Sequence, residues 1–85
     1  MEEHILVVYG TSWCPDVARS RALLNRQAVP YAYIDVEEDL VANEYCAGLN
    51  GGVRKVPTLI FESGLVLIEP SDEVLGRVLK TEGMA

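Results

Sequence analysis

Histidine occurs once in this 85-residue chain, cysteine twice, and lysine plus arginine only seven times against thirteen aspartates and glutamates. One imidazole and two cysteines far apart in sequence do not make a zinc ligand set, so no metal is expected. The shortage of positive charge leaves a net charge of −6, which disfavours nucleic acid and anionic membrane surfaces as partners. No apolar run approaches the ~18–20 residues that span a bilayer. The opening Met1-Glu2-Glu3-His4 is acidic and lacks the basic segment and cleavage site of a secretory leader, so a cytoplasmic location is expected. In a reducing compartment the two cysteines are expected as free thiols, one of them available for catalysis. No repeat, linker or low-complexity stretch divides the chain, and a single domain over residues 1–85 is expected.

What is present is apolar. Hydrophobic residues make up 49% of the chain, which argues against disorder. A domain of this size buries only roughly 60–65% of its unfolded surface, so its core has to be efficient. His4 to Tyr9 reads as a strand apolar at nearly every position, hence covered on both faces. Pro15 to about Ala28 reads as a helix whose apolar stripe is Val17, Leu24 and Ala28, flanked by Ala18 and Ala22. Val29-Pro30 ends it.

A second strand is expected over Tyr31 to Val36 and a second helix over Glu37 to Leu49, with Glu37, Glu38 and Asp39 as a solvated acidic first turn. Asn50-Gly51-Gly52 stops that helix. Pro57 to Phe61 and Leu65 to Ile68 read as strands joined through Glu62-Ser63-Gly64, short enough for a hairpin. Ser71 reads as the N-cap of a last helix running to about Lys80, with Asp72 and Glu73 in its first turn. The order β-α-β-α-β-β-α predicts an α/β fold. The first two strands are parallel through a helical crossover, the last two are antiparallel, and helices flank both faces of a four-stranded mixed sheet.

The chemistry centres on Cys14, where Tyr9-Gly10-Thr11-Ser12-Trp13-Cys14-Pro15 carries the first strand through a loop to a helix start. A thiolate, not a thiol, attacks disulfides, and its formation is favoured at a helix N-terminus. Pro15 fits the first helical position, where no amide donor is needed. The sulfur is then expected to accept from the free amides of Asp16 and Val17. The Asp16 carboxylate opposes this, so Cys14 is expected to be less activated than a thiol with lysine at that position. Three residues on, where a redox pair would place a second cysteine, stands Val17. Taken alone, a cysteine before a proline is as readily an ordinary buried residue.

The chain as a whole resembles the glutaredoxin family of the thioredoxin fold. The resemblance runs from Ile5 to about Leu79 through Tyr9-Gly10-Thr11-Ser12-Trp13-Cys14-Pro15, Ala22-Leu23-Leu24, Val29-Pro30-Tyr31, Ile34-Asp35-Val36, Asn50-Gly51-Gly52 and Val56-Pro57-Thr58. Pro70-Ser71-Asp72 falls where the family has Gly-Gly-Cys-Asp or Asn-Pro-Ser. The Thr-Ser-Trp-Cys, Asn-Gly-Gly and Pro-Ser elements look most like the bacterial group that includes mycoredoxins. The resemblance implies Cys14 as nucleophile and Pro57 as a cis-proline facing it, with the Val56 backbone pairing with a thiol substrate. It implies that Ser71 and the Asp72 amide hold the γ-glutamyl carboxylate of glutathione and that the Asp72 carboxylate takes its ammonium. Ser71-Asp72 also reads as a plain N-cap, and the two readings are compatible.

The departures limit what is carried over. Val17 removes the second motif cysteine, which leaves one-thiol exchange with a mixed disulfide between a protein and glutathione or another low-molecular-weight thiol. Thr11 stands where many family members have a basic residue that contacts the glycine carboxylate of glutathione, and Arg54 or Lys55 is the candidate replacement. Single-thiol relatives that share an iron–sulfur cluster carry Gly-Phe-Ser after the cysteine, which Pro15-Asp16-Val17 does not match. Trp13 reads either as a shield or partner contact beside the thiol, or as packing. Cys46 reads as a small buried side chain and His4 as a surface residue. The expectation is a monomeric one-thiol oxidoreductase with no bound cofactor and a small thiol as cosubstrate. The alternatives are a redox-weak binding module for a thiol or peptide and, ranked below both, the N-terminal domain of a glutathione transferase.

Overall fold

The computed structural model describes residues 6–84. The elements run β1 (Val7–Gly10), α1 (Pro15–Arg26), β2 (Ala32–Asp35), α2 (Leu40–Gly48), β3 (Thr58–Ile60), β4 (Val66–Ile68) and α3 (Asp72–Thr81). His4 and Ile5, expected in the first strand, lie outside the described residues. The sheet order is β2-β1-β3-β4. β1 runs parallel to β2, with Val8 opposite Tyr33, and antiparallel to β3, with Val8 opposite Leu59. β3 and β4 form the antiparallel hairpin. This is the α/β arrangement with a mixed four-stranded sheet read from the sequence.

Alternation along the central strands divides the core in two. Leu6, Val8, Leu59 and Phe61 pack with Leu23 and Leu24 of α1 and Leu75 and Leu79 of α3. Tyr9, Ile34 and Val56 pack on the opposite side, against Val36 and against Ala42 and Cys46 of α2. Each fully buried Leu or Phe in the larger cluster contributes on the order of 1.5–3 kcal/mol relative to exposure. That cluster holds most of the buried side chains, so α1 and α3 are the main clamp on the sheet.

Three sequence readings are corrected in the helices. In α1 the buried positions are Val17, Ser20, Leu23 and Leu24, while Ala18 and Ala22 face solvent. Ala28 has left the helix at φ 56°. The amide of Val29 donates to the Leu24 carbonyl and that of Ala28 to the Asn25 carbonyl, which is the Schellman arrangement. The same pair of bonds ends α3, where Gly83 takes the left-handed position. In α2 the start shifts to Asp39, whose carboxylate accepts from the Ala42 amide. Glu37 and Glu38 form a turn ahead of it, held by the Asp35 side chain and carbonyl, because an aspartate one turn earlier captures their amides.

Gly10 ends β1 beneath α1. A Cβ built there would lie 2.6 Å from Val17 Cγ1 and 3.1 Å from the Tyr33 ring. The missing side chain is what lets the first turn of α1 lie directly on the strand end.

Ala28→Gly removes no contact, because the side chain is exposed, and relieves the left-handed backbone. It is expected to raise stability by about 0.5–1 kcal/mol, read as a higher urea midpoint; a lower midpoint contradicts this account of the α1 terminus. Gly10→Ala is expected to destabilise by about 1–3 kcal/mol through overpacking. Adding Val17→Ala is expected to recover part of the loss in a double-mutant cycle; strict additivity of the two changes contradicts the proposed contact.

Candidate functional site

The sheet register gathers the candidate residues at one end. β1 and β2 are parallel, so their C-terminal ends, Gly10 and Asp35, lie side by side. Tyr9 pairs with Thr58 at the start of β3, which brings Pro57 to the same edge. The Val56–Pro57 peptide bond is cis, as the resemblance implies. The Glu69 amide donates to the Pro57 carbonyl at 2.8 Å, so the chain leaves β4 beside the proline and enters Ser71. The crevice outside the carboxyl ends of parallel strands is the usual ligand position in open α/β sheets.

Cys14 is the N-cap of α1, half-buried and unpaired, with extended backbone at φ −81° and ψ 122°. Pro15 is the first helical residue. The Cys14 carbonyl accepts the Ala18 amide at 3.1 Å and starts the helix. The sulfur makes no capping hydrogen bond, so the expected acceptance from Asp16 and Val17 amides is not present. A large, weakly accepting sulfur does not close the tight capping ring that an aspartate or serine oxygen does. Val17 is buried at 2% exposure, so the place of a second motif cysteine is a packed core position.

Arg19 links the two helix starts. Its Nη1 donates to Asp16 Oδ1 at 2.9 Å, its Nη2 to the Pro70 carbonyl at 3.2 Å, and its Nε lies 3.4 Å from Asp72 Oδ1. The carboxylate expected to oppose a Cys14 thiolate is thus paired. So is the Asp72 carboxylate expected to receive an ammonium group. Ser71 Oγ accepts from the Val74 amide at 3.2 Å as a plain N-cap.

A second network starts at Trp13, the residue before Cys14. Trp13 is 63% exposed, which excludes the packing reading, and its Nε1 donates to Glu37 Oε1 at 2.9 Å. The other Glu37 oxygen is 3.7 Å from Arg54 Nη2, and Arg54 Nη1 donates to Asn43 Oδ1 at 3.2 Å. Glu37 is therefore not the free solvated charge expected of a helix start. Thr11 is buried, and its hydroxyl has no hydrogen-bond partner among the described residues.

Beneath the Val56–Pro57 turn, Cys46 is 1% exposed and its Sγ donates to the Lys55 carbonyl at 3.4 Å. The Thr58 hydroxyl donates to the same oxygen at 2.7 Å. Lys55 itself is exposed. Tyr33 borders the Cys14 end of the sheet with Arg21 stacked 3.8 Å over its ring. Burial raises its phenol above the usual tyrosine value, and the nearby Asp35 adds to this while Arg21 opposes it.

The Asp16–Arg19 spacing of three was a visible i,i+3 signal. The Trp13–Glu37 and Arg19–Asp72 contacts, across 24 and 53 positions, left none. Arg19→Gln leaves Asp16 and Asp72 uncompensated within a turn of each helix start. It is expected to slow the reaction of Cys14 with an anionic aromatic disulfide about threefold at low salt, and much less with a neutral one. Adding Asp16→Asn is expected to restore most of the rate; equal slowing with both reagents contradicts the electrostatic account.

Comparison with known proteins agrees with this geometry. The glutaredoxin family model matches residues 6–66. A Mycobacterium tuberculosis protein named provisionally as a glutaredoxin is 38% identical over 79 residues, covering 92% of this chain and 94% of the relative. Mycoredoxin 1 of Corynebacterium glutamicum is 33% identical over 75 residues, covering 86% and 91%. Among solved structures, oxidised thioredoxin O2 of Arabidopsis thaliana superposes with a TM-score of 0.67 at 21% identity, over 92% of this chain and 73% of that one, a likeness of fold. With the thiol at a helix start, a cis-proline turn at the same edge of the sheet and these relatives along most of its length, the chain belongs to the glutaredoxin family of thiol–disulfide oxidoreductases and has the thioredoxin fold.

Proposed function

We propose that the chain exchanges small thiols on proteins through Cys14 alone. The observation that carries this is the pairing of a half-buried Cys14 at the head of α1 with a buried valine at position 17. Cys46, the other cysteine, is enclosed in the core on the α2 side of the sheet. One sulfur is therefore available at the strand ends.

In the proposed reaction the Cys14 thiolate attacks the small-thiol sulfur of a protein mixed disulfide. The protein sulfur leaves as thiolate and takes a proton, and Cys14 carries the small thiol as a new disulfide. A second small-thiol anion attacks the carried sulfur, the bond to Cys14 breaks, and its thiolate is restored. Protein mixed disulfide plus one small thiol gives protein thiol plus small disulfide. Glutathione or another low-molecular-weight thiol is the cosubstrate.

The carried thiol is proposed to lie between the two helix starts and the cis-proline turn. Trp13 and Pro15 border the sulfur. The Val56 backbone beside Pro57 offers strand-like pairing. The amide of Asp72, at the positive end of α3, suits a carboxylate, with Ser71 as cap. Arg54 and Lys55 supply positive charge at the other end.

Cys14→Ser is expected to abolish release of a small thiol from a mixed-disulfide peptide, and unchanged turnover would sink the proposal. An inert Cys14 with retained thiol or peptide binding would instead support a binding module. Val17→Cys is expected to fit, since the volumes are close, and residues three apart at a helix start lie within the ~4.4–6.8 Å Cα range of a disulfide. That variant is expected to gain an internal disulfide, seen by mass, and direct reduction of protein disulfides. Comparable reduction of a protein disulfide by the wild type would contradict one-thiol exchange.

A further inference from the structure

Arg54 stands three residues before Pro57, in the segment that leads to the cis-proline turn, and its guanidinium is held in place. Both ends of its guanidinium are occupied by the protein itself. Nη1 donates to Asn43 Oδ1 at 3.2 Å and Nη2 lies 3.7 Å from Glu37 Oε2. Glu37 is not a drifting surface carboxylate. Its amide is tied to Asp35 Oδ1 at 2.8 Å, and its second oxygen accepts from the Trp13 indole at 2.9 Å. One carboxylate thus joins the loop that carries Cys14, the turn between β2 and α2, and the segment leading to Pro57.

We infer that Glu37 is a specificity-determining residue, which disfavours small thiols that present a carboxylate to Arg54. This rests on the reading of the site as a small-thiol site. An incoming carboxylate meets a guanidinium whose charge is already balanced at one carboxylate distance, and it is repelled by Glu37 until that residue is displaced. Displacement also breaks the indole hydrogen bond. A thiol that is uncharged at this end meets no such opposition. Thr11, in the preceding loop, offers a buried hydroxyl and no charge. Lys55 is exposed, so its attraction is weakened by water and salt. Asp35, Asp39 and Glu38 add negative charge around the same turn.

The test compares two mixed-disulfide peptides identical except at one group: one carries glutathione, the other glutathione esterified at its glycine carboxylate. The wild type is expected to turn over the ester with the higher kcat/KM. Glu37→Gln keeps the hydrogen-bonding shape and is expected to raise kcat/KM for the glutathione peptide about fivefold, the scale of a half-exposed ion pair. The gain is expected in KM, with the ester unchanged. It is expected to shrink at ~1 M salt, where screening acts within about 3 Å, and to be clearly smaller when Arg54→Gln is added, since only relief of the Glu37 repulsion then remains. Equal change on both peptides, or no change on either, overturns the inference while leaving one-thiol exchange intact. Turnover of neither peptide by the wild type overturns the exchange reading, and the inference with it. Circular dichroism and the urea midpoint of Glu37→Gln confirm that the folded protein is being compared.

Discussion

The contact between Gly10 and Val17 is the constraint on which the thiol end depends. α1 can start where it does only because the strand beneath it ends without a side chain. Val17 settles into that gap, Pro15 opens the helix, and Cys14 is left at its head. The same gap brings the Tyr33 ring close, so β2 is pressed into the arrangement as well. Seen this way, the valine in place of a second cysteine is part of the seating of the helix. By seating the first turn of α1 on the strand end, the same valine fixes where the Cys14 sulfur stands.

Charge around Cys14 is organised by pairing. Arg19 pairs with Asp16 and Asp72, and Glu37 and Asn43 hold Arg54. Each of these ion pairs is partly exposed and contributes little to stability, about 0–1 kcal/mol. Their effect is geometric and electrostatic. Arg19 ties the start of α3 to that of α1 and pairs carboxylates at both helix starts, in a chain with a net charge of −6. In an acidic protein, an anionic substrate depends on which few cations are uncommitted.

Much of this was legible in the sequence because it is local. The strand before Cys14, Pro15 at the helix start, the stop at Asn50-Gly51-Gly52 and the Ser71 cap all follow from backbone rules within a few residues. The places where local reading erred were decided by competition between neighbours. Ala28 lies in register with the helical stripe, yet the Val29 and Ala28 amides close a Schellman turn that forces it out. The acidic run at 37–39 looks like a helix start, but Asp35 captures the first two amides and only Asp39 caps. The sulfur of Cys14 was expected to accept backbone amides as an oxygen would, and it does not.

By itself, then, the sequence determined the order of elements, the cysteine at the head of the first helix, and the family to which the chain belongs. Those depend on short-range patterns and on motif spacing, which survive in one dimension. Only the tertiary structure decided which charges face one another at the site. Trp13 meets Glu37, Glu37 meets Arg54, and Arg19 meets Asp72 because the β1–β2 and β1–β3 registers bring separate loops to one edge of the sheet. A side-chain pair 24 or 53 positions apart has no local signature. Its existence follows from packing, and so does the selectivity we assign to it.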